Sequence, residues 1–274
     1  MSPSTLVVED FSTLGQISML AALNILQAFD IETAALPTAL LSTQTEGFNI
    51  PARLDTHEWM QAAVKHWQTI PELQLQGALI GYLGSTKLMD QLGHLLTNIK
   101  GPVLIDPVMA DRGALYPGLS TDYPHYMRQF CQSADVISPN WFELCLLAGL
   151  KKPLNATLSN FKFLLSKLHE QGIQAAVVAT GVPIEKTAET TLLYDGHRIN
   201  SFISKRYPGH FYGAGDTFAA LLMGNLLSGK DLNTAVQISC QQLSNAIKET
   251  SAYPEEDRRY GLKLRNLLQL ISKS

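Results

Sequence analysis

The chain has 274 residues, of which 46% are hydrophobic, 8% aromatic and only 16% charged. That balance excludes intrinsic disorder, and a net charge of −3 lacks the basic surplus of a nucleic-acid binder. Three cysteines, Cys131, Cys145 and Cys240, without Cys-x-x-Cys spacing, argue against a disulfide scaffold or zinc ribbon and for a cytoplasmic protein with reduced thiols.

Met1 to Asp10 lacks a basic segment followed by a long apolar one, so no signal peptide is expected. No run approaches the ~18 apolar residues of a membrane span. Thr5 to Val8 reads as a short strand ended by the polar segment Glu9 to Gly15, and Ile17 to Phe29 as a helix apolar nearly all round, suited to burial against a sheet. Ala78 to Leu83 is a strand, followed by a helix from about Ser85 to Ile99. Val103 to Ile105 is a strand running into Asp106-Pro107, and Val136-Ile137 is another, ending at Pro139-Asn140. Helices follow around Trp141 to Ala148 and Leu158 to Gln171, and Ala175 to Ala179 is a strand ending in Thr180-Gly181. Thr191 to Tyr194 and Arg198 to Ile203 flank the turn signal Asp195-Gly196 and predict a hairpin. Helices are then expected over Asp216 to Leu227, Leu232 to Lys248 and about Arg258 to Ile271.

Strands alternating with helices predict an α/β fold with a mostly parallel sheet, and the absence of a repeat, long linker or composition break predicts one domain over residues 1–274. Ligands bind at the carboxyl ends of parallel strands. Four predicted strand ends carry polar residues: Glu9-Asp10, Gly81-Tyr82, Asp106 and Thr180-Gly181.

The sharpest motif is Gly213-Ala214-Gly215-Asp216-Thr217, at the start of a helical run. Glycines at a helix start let several N–H groups point at one anion, with the helix dipole adding to the attraction. An aspartate beside such a phosphate cradle can take the proton of a hydroxyl attacking phosphorus, or it can simply be a first-turn acid. Gly224 to Lys230 looks like a Walker A loop, but Asp231 stands where Ser or Thr is needed, so Ser228-Gly229 reads as a helix stop. Asp106 and Asp111, presented on a loop after Pro107, have the oxygen chemistry for Mg²⁺, although Asp111-Arg112-Gly113 also reads as an ordinary turn. Asn140 and Glu143 lie one helical turn apart, where Glu143 is either a second metal-side acid or a first-turn acid balancing the dipole. The seven histidines show no zinc spacing, and Lys186, Lys205 and Arg206 read as solvated residues that could also screen phosphate charge.

In order, these motifs resemble the pyridoxal kinases of the ribokinase-like superfamily. The resemblance rests on Val7 to Phe11 with Gly15, Leu36 to Ala39, Ser42 to Thr45, Gly81 to Ser85, Asp106 to Tyr116, Ser138 to Glu143, Ala179 to Val182 and Gly213 to Phe218. It implies a central, mostly parallel sheet with helices on both faces, a homodimer, and ATP-dependent phosphorylation of the 5′-hydroxymethyl group of pyridoxal, with pyridoxine and pyridoxamine as further substrates. By position it makes Asp216 the base, with Gly213, Ala214 and Gly215 forming the anion hole. Asp106 and Glu143 fall on the Mg²⁺ and phosphate region, with a monovalent cation as a further candidate ion. Asn140, Thr180 and Gly181 fall on the nucleotide, and Asp10, Thr45 and Tyr82 on the pyridine ring. This chain has Glu9-Asp10 where the bacterial kinases it resembles tend to have Gln-Asp, and Gln44-Thr45-Glu46 where they have His-Thr-Gly. Hydroxymethylpyrimidine kinases usually carry a cysteine in the last loop, where this chain has Ala214 and Asp216.

Overall fold

Apolar side chains alternate along the central strands, and the alternation divides them between two helical layers. In the computed structural model, which describes residues 4–111 and 113–273, Leu6 and Val8 pack into one layer and Val7 into the other. The same division separates Ala78 and Ile80 from Leu79, Val103 and Ile105 from Leu104, and Val177 and Ala179 from Val178. A strand buried on both faces must be apolar at every position, and this is what the short β-rich runs signalled.

The strands are β1 (Ser4–Ser12), β2 (Thr33–Leu41), β3 (Arg53–Asp55), β4 (Leu75–Ile80), β5 (Val103–Ile105), β6 (Ala110–Asp111), β7 (Ala114–Leu115), β8 (Val136–Ile137), β9 (Ala176–Val182), β10 (Ala188–Tyr194) and β11 (Ile199–Lys205). Nine form one sheet in the order β11-β10-β9-β8-β5-β4-β1-β2-β3, and β6 and β7 form a separate ribbon. The six strands from β9 to β2 are parallel, while β3 at one edge pairs antiparallel with β2 and, at the other edge, β10 pairs antiparallel with both β9 and β11. One face is covered by α2 (His57–Trp67), α3 (Thr86–Leu96), α4 (Tyr123–Phe130), α5 (Trp141–Leu147) and α6 (Leu158–Glu170). The other is covered by α1 (Met19–Ala28), α7 (Ala214–Leu227), α8 (Leu232–Thr250) and α10 (Arg265–Ile271), with the short α9 (Glu255–Arg258) between the last two. The fold is thus ribokinase-like α/β, as the sequence led one to expect.

Several boundaries differ from the sequence reading. β1 does not stop at Glu9 but runs to Ser12, because Phe11 and Ser12 still pair with Leu40 and Leu41 and because Glu9 and Asp10 are buried. Strand β2, not anticipated, contains Pro37, which lacks the N–H a ladder needs and sits beside the register shift between Glu9 and Phe11. β9 continues through Thr180-Gly181 to Val182, held by Thr190 of β10. Strand β3 and helices α2 and α4 were also unanticipated. The expected helix from Arg258 to Ile271 is broken instead. Gly261 has φ +96°, and a Cβ there would lie 2.3 Å from the Gln16 carbonyl oxygen, so the chain passes extended beside Gln16, whose N–H donates to Tyr260 O (2.7 Å). Asp111 lies on the β6–β7 ribbon rather than a loop, and Arg112 falls outside the described residues. Cys131, Cys145 and Cys240 are buried free thiols, and among the described residues no helix is long and apolar enough to cross a membrane.

Candidate active site

The carboxyl ends of β1, β4, β5 and β9 open into one cleft of about 310 Å³. Asp10, Thr45, Tyr82, Asp106, Asn140, Glu143, Thr180, Gly213, Ala214, Gly215 and Asp216, all singled out in the sequence, line it. Gly181 does not; it follows Thr180 on β9 with its backbone exposed. Lys186, Lys205 and Arg206 are not in the lining either, and Arg206 pairs with Glu189 (3.2 Å).

Helix α7 begins at Gly213, whose φ of +74° is a left-handed turn open to glycine at little cost. No side chain caps this helix, so its first-turn N–H groups remain for an anion. Gly215 keeps the space in front of them clear: a Cβ there would lie 3.7 Å from Asp106 Oδ2. Asp216 in the same turn accepts the Ser18 N–H on Oδ2 (2.8 Å). Burial pushes its carboxyl up to about 6, with the Ser18 N–H opposing and the Asp10 charge adding to the rise. A base with that value is mostly ionised at neutral pH and can still take a proton.

Ser18 reads from the sequence as part of the apolar helix starting at Ile17, yet it sits just before α1 and bridges the site. Its φ of +47° is a left-handed conformation that non-glycine residues rarely adopt, and such strain gathers at functional sites. The twist delivers its N–H to Asp216, while its hydroxyl lowers the pKa of Asp10, as does the Ser12 hydroxyl, which donates to Asp10 Oδ2 (2.9 Å). Burial outweighs both and leaves the Asp10 carboxyl raised.

Helix α5 is built oppositely. Asn140 Oδ1 accepts the N–H groups of Phe142 and Glu143 (both 2.9 Å), and Glu143 Oε2 accepts the Asn140 N–H (2.9 Å), a complete capping box. Glu143 Oε1 also accepts the N–H groups of Met109 (2.9 Å) and Ala110 (3.2 Å), and Asn140 Nδ2 donates to Ala110 O (2.8 Å). Both side chains therefore anchor the segment after Asp106 to the helix. Burial pushes the Glu143 carboxyl up to about 7 against these bonds.

Asp106 is raised well above the usual carboxylate range by burial, then by the charges of Glu143 and Asp216. Glu9, buried beside these acids, is also raised, by burial first and then by Asp216, Asp10 and Asp106. Its Oε2 finds no partner among the described residues. Glu9 and the glutamine of the resembling kinases have nearly the same shape, and the burial of Glu9 favours its protonated form. Crowded oxygen acids beside an anion cradle could be offset by a hard cation, and Asp106 and Glu143 are the residues whose oxygens could hold one. Glu143 has one carboxylate lone pair left after its three backbone bonds, enough for contact through water.

The sequence reading missed residues that folding alone brings to the cleft. Glu46 and His210 join Asp111, already marked in the sequence as an oxygen donor for Mg²⁺, with ligand atoms within 4.8 Å of one another, and His210 Nε2 lies 3.4 Å from Glu46 Oε2. Tyr116 stands edge-on to Tyr82 at 6.5 Å, and Arg53 reaches in from β3.

The profile of the phosphomethylpyrimidine kinase family matches residues 19–258. A Caenorhabditis elegans protein named "Putative pyridoxal kinase" is 31% identical over 187 residues, 65% of this chain and 57% of the nematode protein, so this chain spans just over half of that relative. The pyridoxine kinase of Bacillus subtilis is 28% identical over 233 residues, 82% of this chain and 73% of the other. The crystal structure of pyridoxal kinase from Lactobacillus plantarum superposes with a TM-score of 0.90 at 38% identity, covering 99% of this chain and 97% of that one.

Proposed function

The chain belongs to the phosphomethylpyrimidine kinase family, and from that premise we propose that it transfers the γ-phosphoryl group of ATP to the 5′-hydroxymethyl oxygen of pyridoxal, giving pyridoxal 5′-phosphate and ADP. Pyridoxine and pyridoxamine are further substrates of the same reaction, carried out by residues 1–274 as one kinase domain. The observation that carries the reading is the pairing of Asp216, held ready as a base, with an uncapped glycine-led helix start in the same turn. The 38% identity to the Lactobacillus enzyme along nearly the whole chain supports the choice of pyridoxal.

In this mechanism Asp216 takes the proton of the substrate hydroxyl as its oxygen bonds to phosphorus and the bond to the ADP oxygen breaks. The N–H groups of Gly213, Ala214 and Gly215 hold the phosphoryl oxygens, with charge that needs no reorganisation during transfer. Asn140 and Thr180 border the nucleotide in the cleft, Gly181 follows Thr180 on β9 beyond the lining, and Asp10, Thr45 and Tyr82 border the ring. Asp106 and Glu143 are the residues that would hold Mg²⁺, which would neutralise phosphate charge. Ile50, Leu54 and Trp59 leave apolar side chains exposed in one short stretch at the β3–α2 edge, which supports a homodimer.

The family's description favours a second reading, a kinase of hydroxymethylpyrimidine. An ATP-consumption assay over pyridoxal, pyridoxine, pyridoxamine, hydroxymethylpyrimidine and ribose decides between them. Pyridoxal is expected to give the highest kcat/KM, and a higher value for hydroxymethylpyrimidine or ribose would overturn the proposal.

A further inference from the structure

The cleft is strongly acidic. Asp10, Glu46, Asp106, Asp111, Glu143 and Asp216 line it, and against these six carboxyl groups the described lining holds a single Lys or Arg side chain, Arg53. A permanent cation in such a place has to be accounted for, because a surface ion pair with Asp55 would not require it to face the cleft.

The sheet puts Arg53 at the ring end. It opens β3, opposite Leu41 of β2, and Leu41 in turn pairs with Ser12 of β1, the residue that donates to Asp10. Ser12, Leu41 and Arg53 therefore stand at one level across three adjacent strands, and Leu41 and Arg53 both line the cleft. Asp55 fixes the guanidinium from the solvent side: Arg53 Nε (2.8 Å) and Nη2 (2.6 Å) both meet its Oδ1. A guanidinium has five N–H donors, so this clamp engages two, and the other three face the cleft, where the Tyr82 side chain already draws on them. The charge of Arg53 acts on the two ring-end residues, opposing the rise that burial causes in both Asp10 and Tyr82.

We propose that Arg53 determines specificity by donating to an ionised oxygen on the substrate ring, so that the cleft selects a 3-hydroxypyridine over an aminopyrimidine. The inference rests on the pyridoxal reading above and deepens it. The ring hydroxyl of pyridoxal ionises readily because the ring nitrogen takes up a proton, giving an anionic oxygen next to a cationic ring. Hydroxymethylpyrimidine carries no such oxygen. A planar fork clamped by Asp55 suits an oxyanion at the ring edge, with Asp10 available to the cationic side and the Tyr82 ring to its face.

The test compares pyridoxal with 3-deoxypyridoxal, which keeps the aldehyde and the 5′-hydroxymethyl group but lacks the ring oxygen, in the wild type, Arg53→Met and Arg53→Lys. A hydrogen bond to a charged group sets the scale, so Arg53→Met should lower the wild-type preference for pyridoxal by about 10- to 100-fold, chiefly through KM. Arg53→Lys, keeping charge but not the fork, should retain part of it. Melting temperatures of the three proteins should agree, since the Asp55 pair is solvent-exposed and worth little. If the wild type phosphorylates pyridoxal and Arg53→Met keeps the full preference, or loses both substrates alike, the role given to Arg53 is wrong. If the wild type phosphorylates hydroxymethylpyrimidine but not pyridoxal, the pyridoxal reading itself falls, and this inference with it.

Discussion

Helices α5 and α7 both begin in the cleft, and their first turns are built in opposite ways. Helix α5 closes its own end: Asn140 and Glu143 satisfy its N–H groups and reach out to Met109 and Ala110. Helix α7 starts at a left-handed glycine, has no side-chain cap, and keeps the space above its N–H groups clear with Gly215. Each has an acid at its third position, yet the two acids do different work. Glu143 spends its oxygens on three backbone donors, whereas Asp216 accepts one, from Ser18, and leaves the rest of its carboxylate facing the cleft, where the proposed reaction would use it. A first-turn acid is thus structural or chemical according to what the turn beneath it leaves open.

The largest expected effect is at the open end. Asp216→Asn should lower kcat by about 10²–10⁴-fold, the scale of a positioned general base. ATP affinity and melting temperature should change little, because the amide oxygen can still accept the Ser18 N–H. Near wild-type turnover in the folded variant would reduce Asp216 to a capping acid like Glu143.

The pH profile sharpens the same contrast. Asp216 must be ionised to act, so kcat should climb as pH rises through about 6 and level off above it. A kcat that is flat between pH 5 and 7 would argue against Asp216 as the base.

At the closed end, Glu143→Gln should cost stability rather than chemistry alone. An amide has one oxygen where the carboxylate uses two, so a buried N–H of Asn140, or those of Met109 and Ala110, would lose its acceptor at about 1–3 kcal/mol. Glu143, at about 7, and Asp216, at about 6, lie above the ordinary carboxylate range, so the folded protein keeps protons that the unfolded chain has already released. Stability should therefore fall as pH rises from about 4 to 7. Melting curves of the ligand-free protein should show a lower Tm at pH 8 than at pH 5.5, and Glu143→Gln should flatten that slope. A Tm that rises across the window would contradict the burial of these acids.

The smallest effect on folding is expected at Gly215. Alanine fits there at ordinary contact distance and favours the helix, so Gly215→Ala should leave stability unchanged or raise it by about 0.5 kcal/mol. Its methyl group would occupy the space between Asp106 and the helix start, and KM for ATP should rise. Unchanged ATP kinetics would mean that the phosphate does not use that gap.

The sequence by itself determined the parallel α/β layering, because strands buried on both faces must be apolar throughout while surface helices need not be. It also identified the strand ends that open into the cleft and the glycine-led turn with Asp216, since local backbone freedom and a carboxylate beside it are legible from adjacent residues. Tertiary structure alone decided how far β1 runs, because Glu9 and Asp10 look like a strand end until β2 pairs beyond them. It also decided the break at Gly261, which comes from the close approach of Gln16, 245 positions earlier in the chain. Ser18 and Arg53 became site residues in the same way: one by a strained backbone that turns its N–H toward Asp216, the other by the register of an edge strand. Local propensity cannot encode such contacts, because the partner that gives each residue its role lies far away in sequence and is brought near only when the sheet and its two helical layers close.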